Sequence, residues 1–108
     1  MQSVPLIDAA TLAAKLENNG LRVIDVRGRS EWNHEHLLGA THIHLGDIED
    51  RAAGMPRGEP VVVHCQSGTR SSIAASLLLA HGFTNVTNLA GGLDAWRKAG
   101  LPVSEEHS

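Results

Sequence analysis

With a single cysteine, Cys65, the sequence can close no internal disulfide, and a free thiol fits a reducing compartment. No stripe of lysine and arginine tracks a phosphate backbone; the formal net charge is -3, so nucleic acid is not an expected partner. No apolar run approaches the length of a membrane span, and the amino end lacks the basic and apolar regions of a signal peptide. Internal repeats, linkers and low-complexity segments are also missing. These absences leave a soluble, cytoplasmic protein as the expectation, without membrane association. At 108 residues, the chain (1–108) is expected to be one domain whose core needs neither disulfide nor structural metal.

What is present is an alternation of short apolar runs with helical patterns. Val4 to Ile7 is a weak strand, and Asp8 is placed to cap a helix whose face is Ala9, Leu12, Ala13 and Leu16, stopped by Asn19-Gly20. Leu21 to Val26 is β-branched and reads as a second strand. Ser30 is placed to cap a short helix containing Glu31 and Trp32, broken at Gly39-Ala40. Thr41 to Leu45 reads as a third strand, Asp47 to Ala53 as irregular or weakly helical, and Gly54 to Gly58 as a turn. Val61-Val62-Val63 is a strand covered on both faces, since a one-sided strand alternates apolar with polar residues. A helix from Thr69 to His81, a strand from Val86 to Leu89 and a helix through Leu93, Trp96 and Lys98 follow. Leu101-Pro102-Val103 packs or trails, and the polar end is expected to fray. Such alternation implies an α/β fold: a mainly parallel sheet of about five strands with helices on both faces.

Cys65 lies between the buried strand and the next helix, at the sheet edge where open α/β folds bind ligands. Ser67 and Gly68 permit a sharp turn. Unpaired N–H groups at the helix start and the helix dipole favour an anion there, lowering the thiol pKa, and Arg70 adds a full positive charge. The pattern His64-Cys-x-x-Gly-x-Arg70-Ser resembles the anion cradle of cysteine-dependent phosphatases, but the loop between Cys65 and Arg70 is one residue shorter. A narrower ring of donors suits a single sulfur on the cysteine better than a phosphoryl group.

Ile24-Asp25-Val26-Arg27 followed by Glu31 and His36-Leu37-Leu38-Gly39-Ala40, the Cys65-to-Arg70 loop, and Gly91-Gly92-Leu93-Asp94-Ala95-Trp96 together resemble the signatures of a single-domain rhodanese. The resemblance spans nearly the whole chain. Two departures are visible: Glu35 stands where the first signature has glycine and Leu38 where it has proline, which bears on local turn geometry. The resemblance implies a three-layer rhodanese fold and a two-step sulfur transfer with a covalent intermediate. Cys65 would be the nucleophile. The loop residues Gln66, Ser67, Gly68, Thr69 and Arg70 would bind substrate, mainly through backbone N–H groups, with Arg70 docking an anionic donor and the other side chains rimming the pocket.

Thiosulfate or glutathione persulfide is the implied donor; glutathione, a thioredoxin-like protein or cyanide is the implied acceptor. With no second cysteine, the persulfide must be resolved by an external thiol or nucleophile. No cofactor is implied. Two other readings stand beside this one: an accessory sulfur-accepting module of a persulfide dioxygenase system, and a small phosphatase or arsenate reductase. Asp25 and Arg27 are supporting residues, as readily a buried pair that organises loops as a substrate contact. Gly91-Gly92 permits close packing and a tight turn, and Trp96 reads as core. His34 and His36 are expected on one helix, where residues two apart do not converge, so no metal is expected. His64 points away from Cys65 and is a poor general base.

Overall fold

The chain's computed structural model describes residues 4–17 and 21–104. In chain order its elements are β1 (Leu6–Ile7), α1 (Ala9–Glu17), β2 (Arg22–Asp25), α2 (Arg29–His34), β3 (His36–Leu37) and β4 (Thr41–His42). A 3-10 turn at Leu45–Asp47 leads into α3 (Ile48–Ala52), followed by β5 (Val61–His64), α4 (Thr69–Ala80), β6 (Val86–Leu89), α5 (Gly92–Lys98) and β7 (Val103–Ser104). Five strands form one sheet in the order β1-β6-β5-β2-β4, every pair parallel. This is the expected α/β architecture.

The triple valine explains the centre of that sheet. Because strand side chains alternate, Val61 and Val63 join the core beneath α3 and α4, with Ala74, Ala75 and Leu78, while Val62 joins Leu12, Leu93 and Trp96 beneath α1 and α5. All three are essentially inaccessible to water. The strand is apolar throughout because both of its faces are interior. Burying each valine contributes roughly 1.5–3 kcal/mol before the entropy of ordering is charged against it.

Register places the chemistry. Asp25 pairs with His64 and Val63 with Asn88, so the ends of β2, β5 and β6 lie side by side at one sheet edge. Several expectations change in detail. Gly28, not Ser30, is the N-cap of α2; Ser30 falls in the first turn, and the Glu31 carboxylate reaches back to accept the Gly28 N–H at 3.1 Å. The strand expected over Thr41 to Leu45 ends at His42, because the His44 ring accepts the Gly46 N–H at 3.2 Å and its carbonyl accepts the Asp47 N–H at 2.8 Å, turning the chain. His36 leaves the helix and enters β3, which pairs antiparallel with β7 (Leu37 with Val103). The segment after α5 therefore packs, and the Trp96 indole N–H donates to the Pro102 carbonyl at 2.8 Å. The Asn19-Gly20 stop and the polar end beyond Ser104 lie outside the described residues.

Candidate active site

Cys65 directly follows β5 and is almost wholly buried. The backbone then turns through Gly68, whose φ of +116° suits glycine, into α4. The turn brings the Gly68 N–H to 3.1 Å from Cys65 Sγ and the Ser71 hydroxyl to 3.4 Å. Burial pushes the thiol pKa up, but the Ser71 hydroxyl and the N–H groups of Ser71, Gly68 and Ser67 outweigh it and hold the thiol below its ordinary value. The loop thus favours the nucleophilic thiolate.

Ser71 is the main addition to the expected site. Its hydroxyl has three acceptors in reach: Asn88 Oδ1 at 2.6 Å, the Gly68 carbonyl at 3.2 Å and Sγ at 3.4 Å. Asn88 Nδ2 also donates to the Gly68 carbonyl, at 3.3 Å. With one proton to give, the hydroxyl shares it among these acceptors, and an anionic sulfur is the strongest of them. Ser71→Ala is therefore expected to slow alkylation of Cys65 by iodoacetamide at pH 7 by about five- to tenfold, because the variant leaves burial less opposed and raises the thiol pKa. The rate measured against pH should move to higher pH; an unmoved profile would show that Ser71 does not act on the thiolate.

A second network fixes the loop from the other side. Asp25 and Arg27 are both buried and joined by Nε contacts at 3.0 Å and an Nη2 contact at 2.8 Å, while the Asp25 carboxylate also accepts the Arg27 backbone N–H at 2.9 Å. Arg27 continues to the Glu35 carbonyl at 2.6 Å and to Gln66 Oε1 at 3.0 Å. The Gln66 amide in turn donates to Asp94 at 2.6 Å. The Gln66 side chain is thus clamped between Arg27 and Asp94. Ser67 and Thr69 are exposed.

Arg70 is engaged by a carboxylate. Its Nη1 and Nη2 donate to the two Glu31 oxygens at 2.7 and 2.9 Å, a bidentate pair. Arg70 beside it, against a smaller opposing effect of burial, holds the Glu31 carboxyl down to about 2. His64 is fully buried, with Nδ1 3.3 Å from the Cys65 carbonyl and Nε2 unpaired, 3.8 Å from Asp25. Burial, more than the opposing pull of Asp25, lowers its pKa. Its contacts are with Asp25 and the backbone. His36 stacks on Trp32 at 3.5 Å instead of sharing a helix with His34. Among the described residues, no set of three or more His, Cys, Asp or Glu side chains is gathered to hold a metal ion, and no helix is long and apolar enough to cross a membrane.

Helix α5 supports the loop from beneath. Its first N–H groups, from Leu93 and Asp94, donate to the Cys65 and Gln66 carbonyls at 2.9 and 3.0 Å. Such contact requires glycine at position 92: φ is +58°, and an added Cβ would lie 2.4 Å from the Cys65 carbonyl oxygen. Gly92→Ala is expected to lower unfolding free energy by about 2 to 3 kcal/mol and to slow Cys65 alkylation, since the loop must lift off α5. A urea melt superimposable on the parent protein would show that the contact yields without cost.

This loop, its glycines and its arginine lie within residues 8–99, which match the family described as Rhodanese-like domain. The chain belongs to the rhodanese-like family. It is 32% identical over 98 residues to a protein of Allochromatium vinosum named Sulfurtransferase, covering 90% of this chain and 92% of that one. Thiosulfate sulfurtransferase GlpE of Pseudomonas paraeruginosa is 34% identical over 85 residues, 79% of this chain and 77% of its own. The Bacillus subtilis protein named Putative sulfur carrier protein YrkF is 33% identical, but this chain spans only 51% of its length. The solution structure of the rhodanese-like domain of the Anabaena protein Alr3790 superposes with a TM-score of 0.88 at 33% identity, covering 95% of this chain and 80% of that one. Within this rhodanese-like domain, Glu35, which replaces the family's signature glycine, is used: its backbone is extended and its carboxylate pairs with Arg97 at 2.8 Å. Leu38, in place of proline, is exposed.

Proposed function

We propose that this rhodanese-like domain is a sulfurtransferase that carries a sulfane sulfur as a Cys65 persulfide. The observation that supports it best is the set of donors around Sγ, the Gly68 N–H at 3.1 Å and the Ser71 hydroxyl at 3.4 Å, in a loop that lowers the thiol pKa. The names of the relatives point the same way. In the first step the Cys65 thiolate attacks the outer sulfur of thiosulfate, the S–S bond breaks with its electron pair on the leaving sulfite, and Cys65 holds a persulfide anion. With glutathione persulfide as donor, the glutathione thiolate leaves instead. Loop N–H groups stabilise the anionic terminal sulfur as an oxyanion hole stabilises oxygen.

In the second step an external nucleophile attacks the terminal sulfur and the Cys65 thiolate departs. A glutathione or thioredoxin-like thiolate leaves as a persulfide, and cyanide leaves as thiocyanate. No other cysteine exists to take the sulfur within the chain. In this reading the reaction uses no cofactor and runs in a reducing compartment such as the cytoplasm, with Asp25 and Arg27 as supports of the loop. Incubation with excess thiosulfate or glutathione persulfide, without reductant, is expected to add the mass of one sulfur atom to the intact protein. An unchanged mass with both donors would defeat the reading. The likeness to half of a protein named Putative sulfur carrier protein supports a second form, in which the domain carries sulfur that a partner enzyme supplies; the sequence resemblance alone suggests a persulfide dioxygenase as that partner. Rapid loading from glutathione persulfide with poor thiosulfate turnover would identify that form.

A further inference from the structure

Each arginine gathered around the loop is matched by a carboxylate. Arg27 lies 2.8 Å from Asp25, Arg97 lies 2.8 Å from Glu35, and Arg70 is held by both oxygens of Glu31 at 2.7 and 2.9 Å. Glu31 is not a mobile counter-ion: one of its oxygens also accepts the Gly28 N–H at 3.1 Å, which ties the carboxylate to the start of α2. Glu31, Glu35, Gln66 and Arg97 border a hollow of about 300 Å³ beside the loop.

We propose that Glu31 is a specificity-determining residue, whose fixed carboxylate cancels the charge of Arg70 at the mouth and so selects against doubly charged inorganic sulfur donors. The proposal rests on the sulfurtransferase reading and narrows its donor class to organic persulfides. A dianion approaching Cys65 meets a paired, neutral group where the cradle motif alone sets a free cation. It must either displace Glu31 from Arg70 or approach with the carboxylate in place, and both oppose binding. An organic persulfide brings a single negative charge on the transferred sulfur, so it loses less at the same mouth. Because Glu31 titrates only near 2, the selection holds throughout the neutral pH range.

Glu31→Gln tests this with little change of shape, because the amide oxygen can still accept the Gly28 N–H. For this variant the KM for thiosulfate is expected to fall about five- to tenfold with kcat unchanged, while kinetics with an alkyl persulfide change less than about twofold. Glu31→Asp, which keeps the charge, is expected to retain the parent's donor preference. A companion measurement needs no sulfur transfer: the rate of Cys65 alkylation by anionic iodoacetate, divided by that by neutral iodoacetamide, should rise about fivefold in Glu31→Gln. An unchanged ratio, or equal changes with both reagents, would overturn the role of Glu31. If the parent protein fails to load sulfur at all, the sulfurtransferase reading falls, and the alkylation ratio still decides whether Glu31 sets the charge of the mouth.

Discussion

Cys65→Ser is expected to reduce sulfur transfer from thiosulfate or glutathione persulfide to background, a loss of at least about a thousandfold, while leaving the urea unfolding curve nearly unchanged. Serine fills almost the same volume under the Gly68 N–H and the Ser71 hydroxyl, so the buried position stays occupied. What disappears is ionisation. The loop's donors lower a thiol's pKa far enough to matter near neutrality, whereas an alcohol begins too high for the same donors to ionise it. The relevant readouts are thiocyanate production from cyanide and intact mass after donor treatment. Residual transfer above a tenth of the parent rate would exclude Cys65 as the carrier. An aryl phosphatase activity lost in the same variant would instead favour the phosphate-type reading of the loop.

Asp25→Ala is expected to be the most destabilising single change in the site, at about 3 to 5 kcal/mol. Its carboxylate accepts from the Arg27 backbone N–H, Nε and Nη2, and Arg27 is only 2% exposed. Removing the carboxylate leaves a buried guanidinium without its directly bonded counter-ion. For a domain this size the melting temperature should drop by more than about 10 °C. The double replacement Asp25→Leu with Arg27→Met removes the unpaired charge and should recover much of the stability, because a buried ion pair contributes little beyond what well-packed apolar groups supply. Activity should not recover with it, since Gln66 loses the Arg27 contact that orients the loop. A fall below about 1 kcal/mol for Asp25→Ala would mean that Arg27 finds solvent or another anion.

The parts legible from the sequence were those with local causes. Val61-Val62-Val63 announced a strand with two interior faces, and the neighbouring Cys65, Gly68 and Arg70 announced a turn into a helix at the sheet's ligand-binding edge. The alternation of strands and helices gave the layers and the parallel sheet. What escaped was long-range. The sequence shows Arg70 as a positive charge beside the loop but not its partner, because Glu31 lies 39 residues away, on a different helix. Asn88 carried no signal at all: a polar residue in a short apolar strand becomes informative only once register sets it beside the loop. Ser71 was more accessible to reasoning, since a serine in the first turn of α4 has a hydroxyl close to the start of its own helix. The pairing of β3 with β7 depends on two strands of two residues each, too short for any periodicity.

The contact between α5 and the loop also decides which way the loop's polarity points. A peptide group carries its carbonyl and its N–H on opposite sides. When Leu93 and Asp94 draw the Cys65 and Gln66 carbonyls toward α5, the N–H groups sharing those two peptide planes, on Gln66 and Ser67, are turned to the opposite side. Gly92 then acts as a spacer of zero thickness, setting how completely the planes rotate. The orientation of the loop's dipoles is therefore written by a helix that begins 27 residues after the cysteine, as a mould determines the relief of a casting.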